Sequence, residues 1–367
     1  MATTNKAQMI PDRETQKIAL LKAHGLAGMA RTPLPGDAST RRYERLSAEG
    51  RSLMLMDQPP SPELIPCPPE ADYAERKRLG YFAMTRLSAG RIEAFAACAD
   101  YLRSESLSAP EIVACDPQAG FLVSEDLGDG LFARLIEQGE DETRLYLSAV
   151  EALSVLHQTP PPDTLPGGWP LLVYDDLALK TGADLFVEWY PKYDPSCVLD
   201  DQAKADWEGI WAPIRARAEA GASVFIHRDF HAENLLWLPE RNGYQRVGLI
   251  DFQDALKGHP SWDLHSLLQD ARRDVSPDIE AAALEHYFAL RPDTDRAAFM
   301  EMYQALATLN EARILGVFAR LIIHFKKPRY EAFMPRMWGH LSRNLKAPHL
   351  KSIREWFEAY GFGDKLS

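Results

Sequence analysis

Residues 227–254, HRDFHAENLLWLPERNGYQRVGLIDFQD, confine this chain more than any other stretch. A short apolar run, Ser223–Ile226, leads into His227-Arg228-Asp229-Phe230-His231-Ala232-Glu233-Asn234. A second run, Leu235–Leu238, follows it, and a third, Val247–Ile250, ends at Asp251-Phe252. Runs of this length bounded by polar turn residues read as strands. Two acids, Asp229 and Asp251, are therefore carried at strand ends, with an asparagine, Asn234, between them.

The pattern changes character along the chain. Residues 12–24 read as a helix with Ile18, Leu20 and Leu21 on one face. Residues 40–46 and 51–56 read as strands joined by the turn Ser47–Gly50, behind a tight loop, Pro35-Gly36-Asp37-Ala38-Ser39. Six prolines make 58–69 a stiff connector. A helix is expected at 91–105 and two strands within 110–124; Glu125–Gly130, with two glycines and three acids, is a natural boundary. Beyond it, helices are expected at 143–157, 201–220, 278–290, 296–325 and 349–360. A sheet-rich front and a larger helical rear predict an α+β fold of two lobes, residues 1–127 and 128–367.

Phosphoryl transfer needs positioning and charge neutralisation more than covalent help. One carboxylate must take the proton of the nucleophilic hydroxyl, and Asp229 fits. A second carboxylate and an amide oxygen must hold Mg²⁺ against the phosphates, and Asp251 and Asn234 fit, because Mg²⁺ keeps most of its waters and phosphate oxygens. Taken singly, each of these residues reads as an ordinary turn or strand-end residue; the ordered set is what points to the chemistry. His227 reads as a structural residue that bonds backbone to fix the loop. His231 and Glu233 either line the acceptor site or are solvated. Asp263, in Gly258-His259-Pro260-Ser261-Trp262-Asp263, has an N-cap pattern and is expected to bond loop backbone near the site. The loop Gly36-Asp37-Ala38-Ser39 either covers phosphates with its N–H groups or is a plain hairpin turn. Arg41 and Arg42 either reach a phosphate or are surface charge.

The net charge of −12 argues against a nucleic-acid binder, which would carry a basic surface. Four cysteines lie far apart with no CxxC pair, so reduced thiols of a cytoplasmic protein are expected. The polar N-terminus shows no signal peptide, and the longest apolar stretch, Ile314 to Phe325, is broken by Gly316, Arg320 and His324, so no membrane span is expected. A metal-hydrolase reading of His227, Asp229 and His231 lacks further histidines to complete a site.

The set HRDFHAENLLW, GLIDFQDA and GHPSWDLHSLLQDARRDV resembles the aminoglycoside phosphotransferase-like kinases, relatives of protein kinases. GDASTRRYERL, LMLMDQPP, FLVSEDLGDGLF and ILGVFARLIIHFKKPRY resemble one bacterial branch, the anomeric kinases of N-acetylmuramate and N-acetylglucosamine in cell-wall recycling. The resemblance spans about residues 30–345. It implies a bilobal protein-kinase-like fold, ATP and Mg²⁺ as cofactors, and adenine against Ser124 to Leu127, with Glu125 and Leu127 as nucleotide contacts. It further implies Asp229 as the catalytic aspartate and a cytoplasmic enzyme whose sugar 1-phosphate passes to a nucleotidyltransferase. Another small alcohol as acceptor, or a nucleotide-binding pseudokinase, stays as an alternative. One departure is notable. The strand lysine that holds the α/β-phosphates in such kinases is absent from Leu53-Met54-Leu55-Met56, so Arg41 or Arg42 is nominated in its place and Glu93, the lysine's usual partner position, becomes a relic. For the sugar, Glu188 and Trp189 in FVEWY, and Arg313 for the lactyl carboxylate, are the candidates; each also reads as an ordinary helix residue.

Overall fold

A computed structural model describes residues 12–35, 41–61 and 64–366. The loop Gly36–Ser39 expected over the nucleotide lies outside the described residues. Helix α1 (Arg13–Ala23) starts at Asp12, whose carboxylate accepts the Thr15 N–H as an N-cap. Strands β1 (Ala30–Pro33), β2 (Arg42–Ala48) and β3 (Arg51–Asp57) follow. The β2–β3 turn is two residues, Glu49 and Gly50, with φ of 31° and 77°; two positive φ values match the twist of a tight hairpin. After α2 (Tyr73–Leu79), a π-turn at Phe82–Arg86 and α3 (Ile92–Ser104), strands β4 (Ile112–Asp116) and β5 (Phe121–Glu125) complete an antiparallel sheet of order β1-β2-β3-β5-β4.

Strand alternation sorts the sheet's two faces. Leu53 and Leu55 of β3 join Leu46, Phe121 and Val123 beneath Leu20 and Leu21 of α1. Met56 and Leu122 face the other way, into the larger core with Ile92 and Phe95 of α3. The lysine-less inner face of β3 is thus an apolar one. Glu93 points out of it and pairs with its neighbour Arg91.

The rear body runs α4 (Phe132–Glu137), α5 (Glu142–Leu156), β6 (Thr164–Leu165), β7 (Trp169–Pro170), α6 (Asp176–Tyr193), α7 (Asp201–Ala220), β8 (Val224–Ile226), β9 (Leu235–Trp237), β10 (Val247–Leu249), β11 (Leu256–Gly258), α8 (Ser261–Leu268), α9 (Pro277–Leu290), α10 (Arg296–Ile323), α11 (Met334–Asn344) and α12 (Lys351–Ala359). Asp141, Asp175, Asp200 and Asp295 cap α5, α6, α7 and α10 by accepting the N–H three residues on. An aromatic cluster of Phe186, Trp207, Trp338, Trp356 and Phe362 joins α6, α7, α11 and α12. Among the described residues no helix is long and apolar enough to cross a membrane.

The stretch after β3, counted from the sequence with the front lobe, packs on the rear one. Its buried Cys67, Ala83 and Leu87 share a core with Ala178, Leu179 and Trp262. The proline-rich connector stiffens the exit from the sheet, and Arg76 of α2 is ion-paired to the α6 cap Asp175.

Helices α6 and α10 approach backbone to backbone at Gly316. A Cβ there would stand 2.3 Å from the Leu185 carbonyl carbon and 2.4 Å from Phe186 N. Backbone cannot rotate out of the way as a side chain can. Gly316→Ala is therefore expected to lower stability by about 1–3 kcal/mol, as read by chemical denaturation. An unchanged denaturation midpoint would show that the two helices are free to separate.

Candidate active site

Two small ladders build the site. Strand β8 pairs with β11 and β9 with β10, both antiparallel, so the 227–234 loop and the 250–255 loop lie side by side. His227 Nε2 meets the Ile250 carbonyl at 2.9 Å, and Ile250 N donates to the Asn234 carbonyl at 3.2 Å. Burial pushes the His227 imidazole below its ordinary pKa, which keeps it neutral for this bond.

Asp263 is the third residue of α8, behind Pro260 at the cap position, so the N-cap expected for it is corrected. Its carboxylate reaches the loop instead: Oδ2 accepts His227 N at 2.7 Å and Oδ1 accepts Arg228 N at 2.9 Å. Burial pushes this carboxyl up to about 7, against the pull of the two N–H groups. Arg228 and Asp251 hold φ of 74° and 63°, a region costly for side chains other than glycine. Such conformations persist where surrounding bonds over-determine them. Asp263 and the Trp262 indole, which donates to the Arg228 carbonyl at 3.2 Å, do so at the first.

Asp229 lies in a cleft of about 100 Å³. Tyr81, Thr85 and Arg86 form one wall; Gly182 of α6 and Arg313 of α10 form another; Arg228 and Tyr174 stand beside the aspartate. Burial raises the Asp229 pKa, but Arg86, then His231, Arg228 and Arg313, outweigh it and hold the carboxyl well below the usual range. The group is an ionised acceptor. Asn234 sits one loop turn away, its Nδ2 donating to the Asp229 carbonyl at 2.9 Å and meeting His231 Nε2 at 3.3 Å. That arrangement commits the amide nitrogen inward and leaves Oδ1 as the acceptor for a cation. Asp251 Oδ1 accepts from Arg41 at 2.8 Å and from Gln253 Nε2 at 3.1 Å, and its side chain is 40% exposed. An amide oxygen and a half-exposed carboxylate are a fitting donor pair for Mg²⁺ shared with phosphate oxygens. Among the described residues no group of three or more His, Cys, Asp and Glu gathers to hold a metal by itself.

The remaining candidates separate. Of the two arginines, Arg41 turns into the site while Arg42 is exposed on β2. His231 is buried, with Arg272 Nη1 at 3.0 Å, and burial ahead of that cation pushes its pKa down to about 3. Glu233 is exposed and ion-paired with Arg272 Nε at 2.9 Å. Glu125 ends β5 and pairs with Arg241 at 2.6 Å; Leu127 packs over Gly248, where a Cβ would come within 3.3 Å of it. Two sugar candidates are displaced. Glu188 points to solvent beside Lys192, and Trp189 lies beyond the cleft, edge-on to His324 with Arg320 between it and Tyr81. The geometry of α6 decides this: Ala178, Gly182 and Leu185, at helical spacing, face the cleft, Glu188 is turned roughly 80° off that face, and Trp189 keeps its phase but stands a turn further along, past the cleft lining. Asp254, Arg86 and Arg272 were not singled out from the sequence. Asp254 had a local signal as the second acid of IDFQDA; the arginines stand in no motif.

The chain is 54% identical over 352 residues to an N-acetylmuramate/N-acetylglucosamine kinase of Caulobacter vibrioides, covering 95% of this chain and 97% of that one. It is 27% identical over 331 residues to a protein of the same description from Pseudomonas putida, covering 88% and 86%. Among solved structures, a choline/ethanolamine kinase family protein from Mesorhizobium loti superposes with a TM-score of 0.56 at 16% identity, over 94% of this chain and 100% of that one. An ADP-bound aminoglycoside phosphotransferase, APH(2'')-Ib, does so with a TM-score of 0.55 at 14% identity, over 90% and 97%. At such identities the likeness is one of fold. Residues 30–300 match the profile of the phosphotransferase enzyme family, APH, and with a relative this similar over nearly its whole length the chain belongs to that family, as a phosphotransferase of bilobal, kinase-like architecture.

Proposed function

We propose that this enzyme transfers the γ-phosphoryl group of ATP to the anomeric hydroxyl of an amino sugar, N-acetylmuramate or N-acetylglucosamine. The observation that carries the reading is the ionised Asp229 at the floor of an arginine-walled cleft, in a chain so similar to a kinase of those two sugars. The sugar hydroxyl donates to Asp229, its oxygen attacks the γ-phosphorus, and the bond to the β,γ-bridging oxygen breaks as ADP leaves. The hydroxyl proton passes to the Asp229 carboxylate. Asn234 Oδ1 and Asp251 would hold Mg²⁺, which neutralises phosphate charge. Arg41, already beside Asp251, is the cation we assign to the phosphates in place of the strand lysine. The nucleotide would lie between the sheet and the rear body, near Glu125 and Leu127. Dependence on ATP implies a cytoplasmic enzyme. The sugar 1-phosphate then suits a nucleotidyltransferase in cell-wall recycling.

The test is a panel of N-acetylmuramate, N-acetylglucosamine, choline and an aminoglycoside with ATP and Mg²⁺, the product read by phosphorus–proton NMR. Phosphate coupled to the anomeric proton is expected. Transfer to another carbon, or only to choline or the aminoglycoside, would overturn the reading, and ATP binding without any turnover would make the chain a pseudokinase.

Arg313 stands in the cleft wall, its Nε bonded to Asn310 Oδ1 at 2.8 Å, which orients the guanidinium. We assign it to the lactyl carboxylate. A hydrogen bond to a charged group contributes about 1.5–3 kcal/mol, so Arg313→Ala is expected to raise KM for N-acetylmuramate about 10–100-fold and leave that for N-acetylglucosamine within about 3-fold. Equal losses on both sugars would remove that assignment.

A further inference from the structure

Between β3 and α3 the chain does not pass straight from sheet to helix. Residues 64–90 lie on the rear body and deliver Arg86 to the cleft. Three sets of bonds fix it there. Arg76 Nε donates to the Ala83 carbonyl at 3.1 Å inside the π-turn, and Cys67 N donates to the Leu87 carbonyl at 2.7 Å just after it. Leu87 then takes φ 62° and ψ −50°, closed by Ser88 N donating to the Arg86 carbonyl at 2.7 Å. That is a γ-turn of the rarer, strained hand, and strain of this kind persists only where the surroundings impose it. Asp254, 1% exposed, is ion-paired to the Arg86 guanidinium and accepts from Ser88 Oγ at 2.7 Å, while Arg228 Nη1 donates to the Arg86 carbonyl at 3.3 Å. Despite these holds the Arg86 side chain is 44% exposed, and it lines the cleft that Asp229 floors.

The phosphoryl group in flight carries its charge on three equatorial oxygens, beside the hydroxyl that the base holds. A cation next to that base is within reach of them, and the planar fork of arginine suits two oxygens at once. The inner face of β3 supplies methionine here, and Arg41 is turned to Asp251. We propose that Arg86 is a catalytic residue, a guanidinium brought in by the segment between β3 and α3 to bind the transferred phosphoryl oxygens in the transition state. This rests on the reading of Asp229 as the base, but not on which alcohol is the acceptor.

The experiment measures Arg86→Met and Arg86→Lys in the full chain. Removing one preorganised donor to developing charge costs about 10²–10³-fold in kcat. Arg86→Met is expected to lose that factor equally on both sugars and on ATP hydrolysis in water, with KM for ATP and sugar within about 3-fold. Its affinity for MgADP with aluminium fluoride, a mimic of the phosphoryl in flight, is expected to fall by about 10²-fold while MgADP alone binds as before. Arg86→Lys keeps the ion pair with Asp254, and so the fold, but loses the fork; an intermediate loss of the mimic is expected. Unchanged affinity for the mimic in either folded variant overturns the proposal, as does a loss confined to N-acetylmuramate, which would make Arg86 an acceptor contact. If no sugar is phosphorylated, the mimic and the hydrolysis still report on Arg86, so the two readings fail separately.

Discussion

Asp229→Asn is expected to lower kcat by about 10²–10⁴-fold, the usual contribution of a positioned general base. The amide keeps the size of the carboxylate and a hydrogen-bond acceptor but cannot take the hydroxyl proton. The rest of the loop should survive, because its backbone is held by other groups: His227 to Ile250, Asp263 to His227 and Arg228, and Asn234 to the Asp229 carbonyl rather than to its side chain. Binding of Mg²⁺ and ATP, measured by calorimetry, should therefore stay within about 3-fold. A variant that keeps a tenth or more of the native kcat would mean that Asp229 orients the hydroxyl without accepting its proton, or that another group serves as base.

Asp251→Asn should remove the dependence of ATP binding on Mg²⁺. Asparagine tolerates the positive φ that Asp251 adopts, so the loop can keep its shape. The charge is lost from the carboxylate that accepts from Arg41 and would hold the metal. Metal neutralisation of transferring phosphoryl groups contributes several kcal/mol, and kcat/KM is expected to fall by at least about 10³-fold. Titrating ATP with and without Mg²⁺ separates this from a folding defect: native protein should bind more tightly with the metal, the variant equally with and without. A variant that still gains affinity from Mg²⁺ would place the metal elsewhere.

The parts of this site that could be read along the chain are those held by short-range backbone geometry. Val224–Ile226, Leu235–Trp237 and Val247–Leu249 form strands within a residue of where their apolar runs place them. The helices at 13–23, 92–104, 142–156 and 201–220 likewise follow their apolar spacing, with aspartate caps at three of the four starts. Helix α6 was harder to see. The aromatic and acidic side chains of its FVEWY stretch suit a sugar, but the helical phase sends Phe186 into the aromatic core and Glu188 to water.

What the sequence by itself determined is the feature that constrained it from the start: Asp229, Asn234 and Asp251 on adjacent loops, in an order and spacing that strand pairing must bring together. What only the tertiary structure decided is which cations lie beside them. Arg41 and Arg42 are neighbours in the sequence, and the direction of one side chain relative to the sheet separates the site from solvent. Arg86 meets Asp254 across 168 residues of chain. An arginine in a buried ion pair and one on a wet surface leave the same mark in a sequence, because the distinction lies in desolvation and in partners that folding brings near. The sequence carries the two carboxylates and the amide; the packing of residues 64–90 onto the rear body places the Arg86 guanidinium in the cleft beside Asp229.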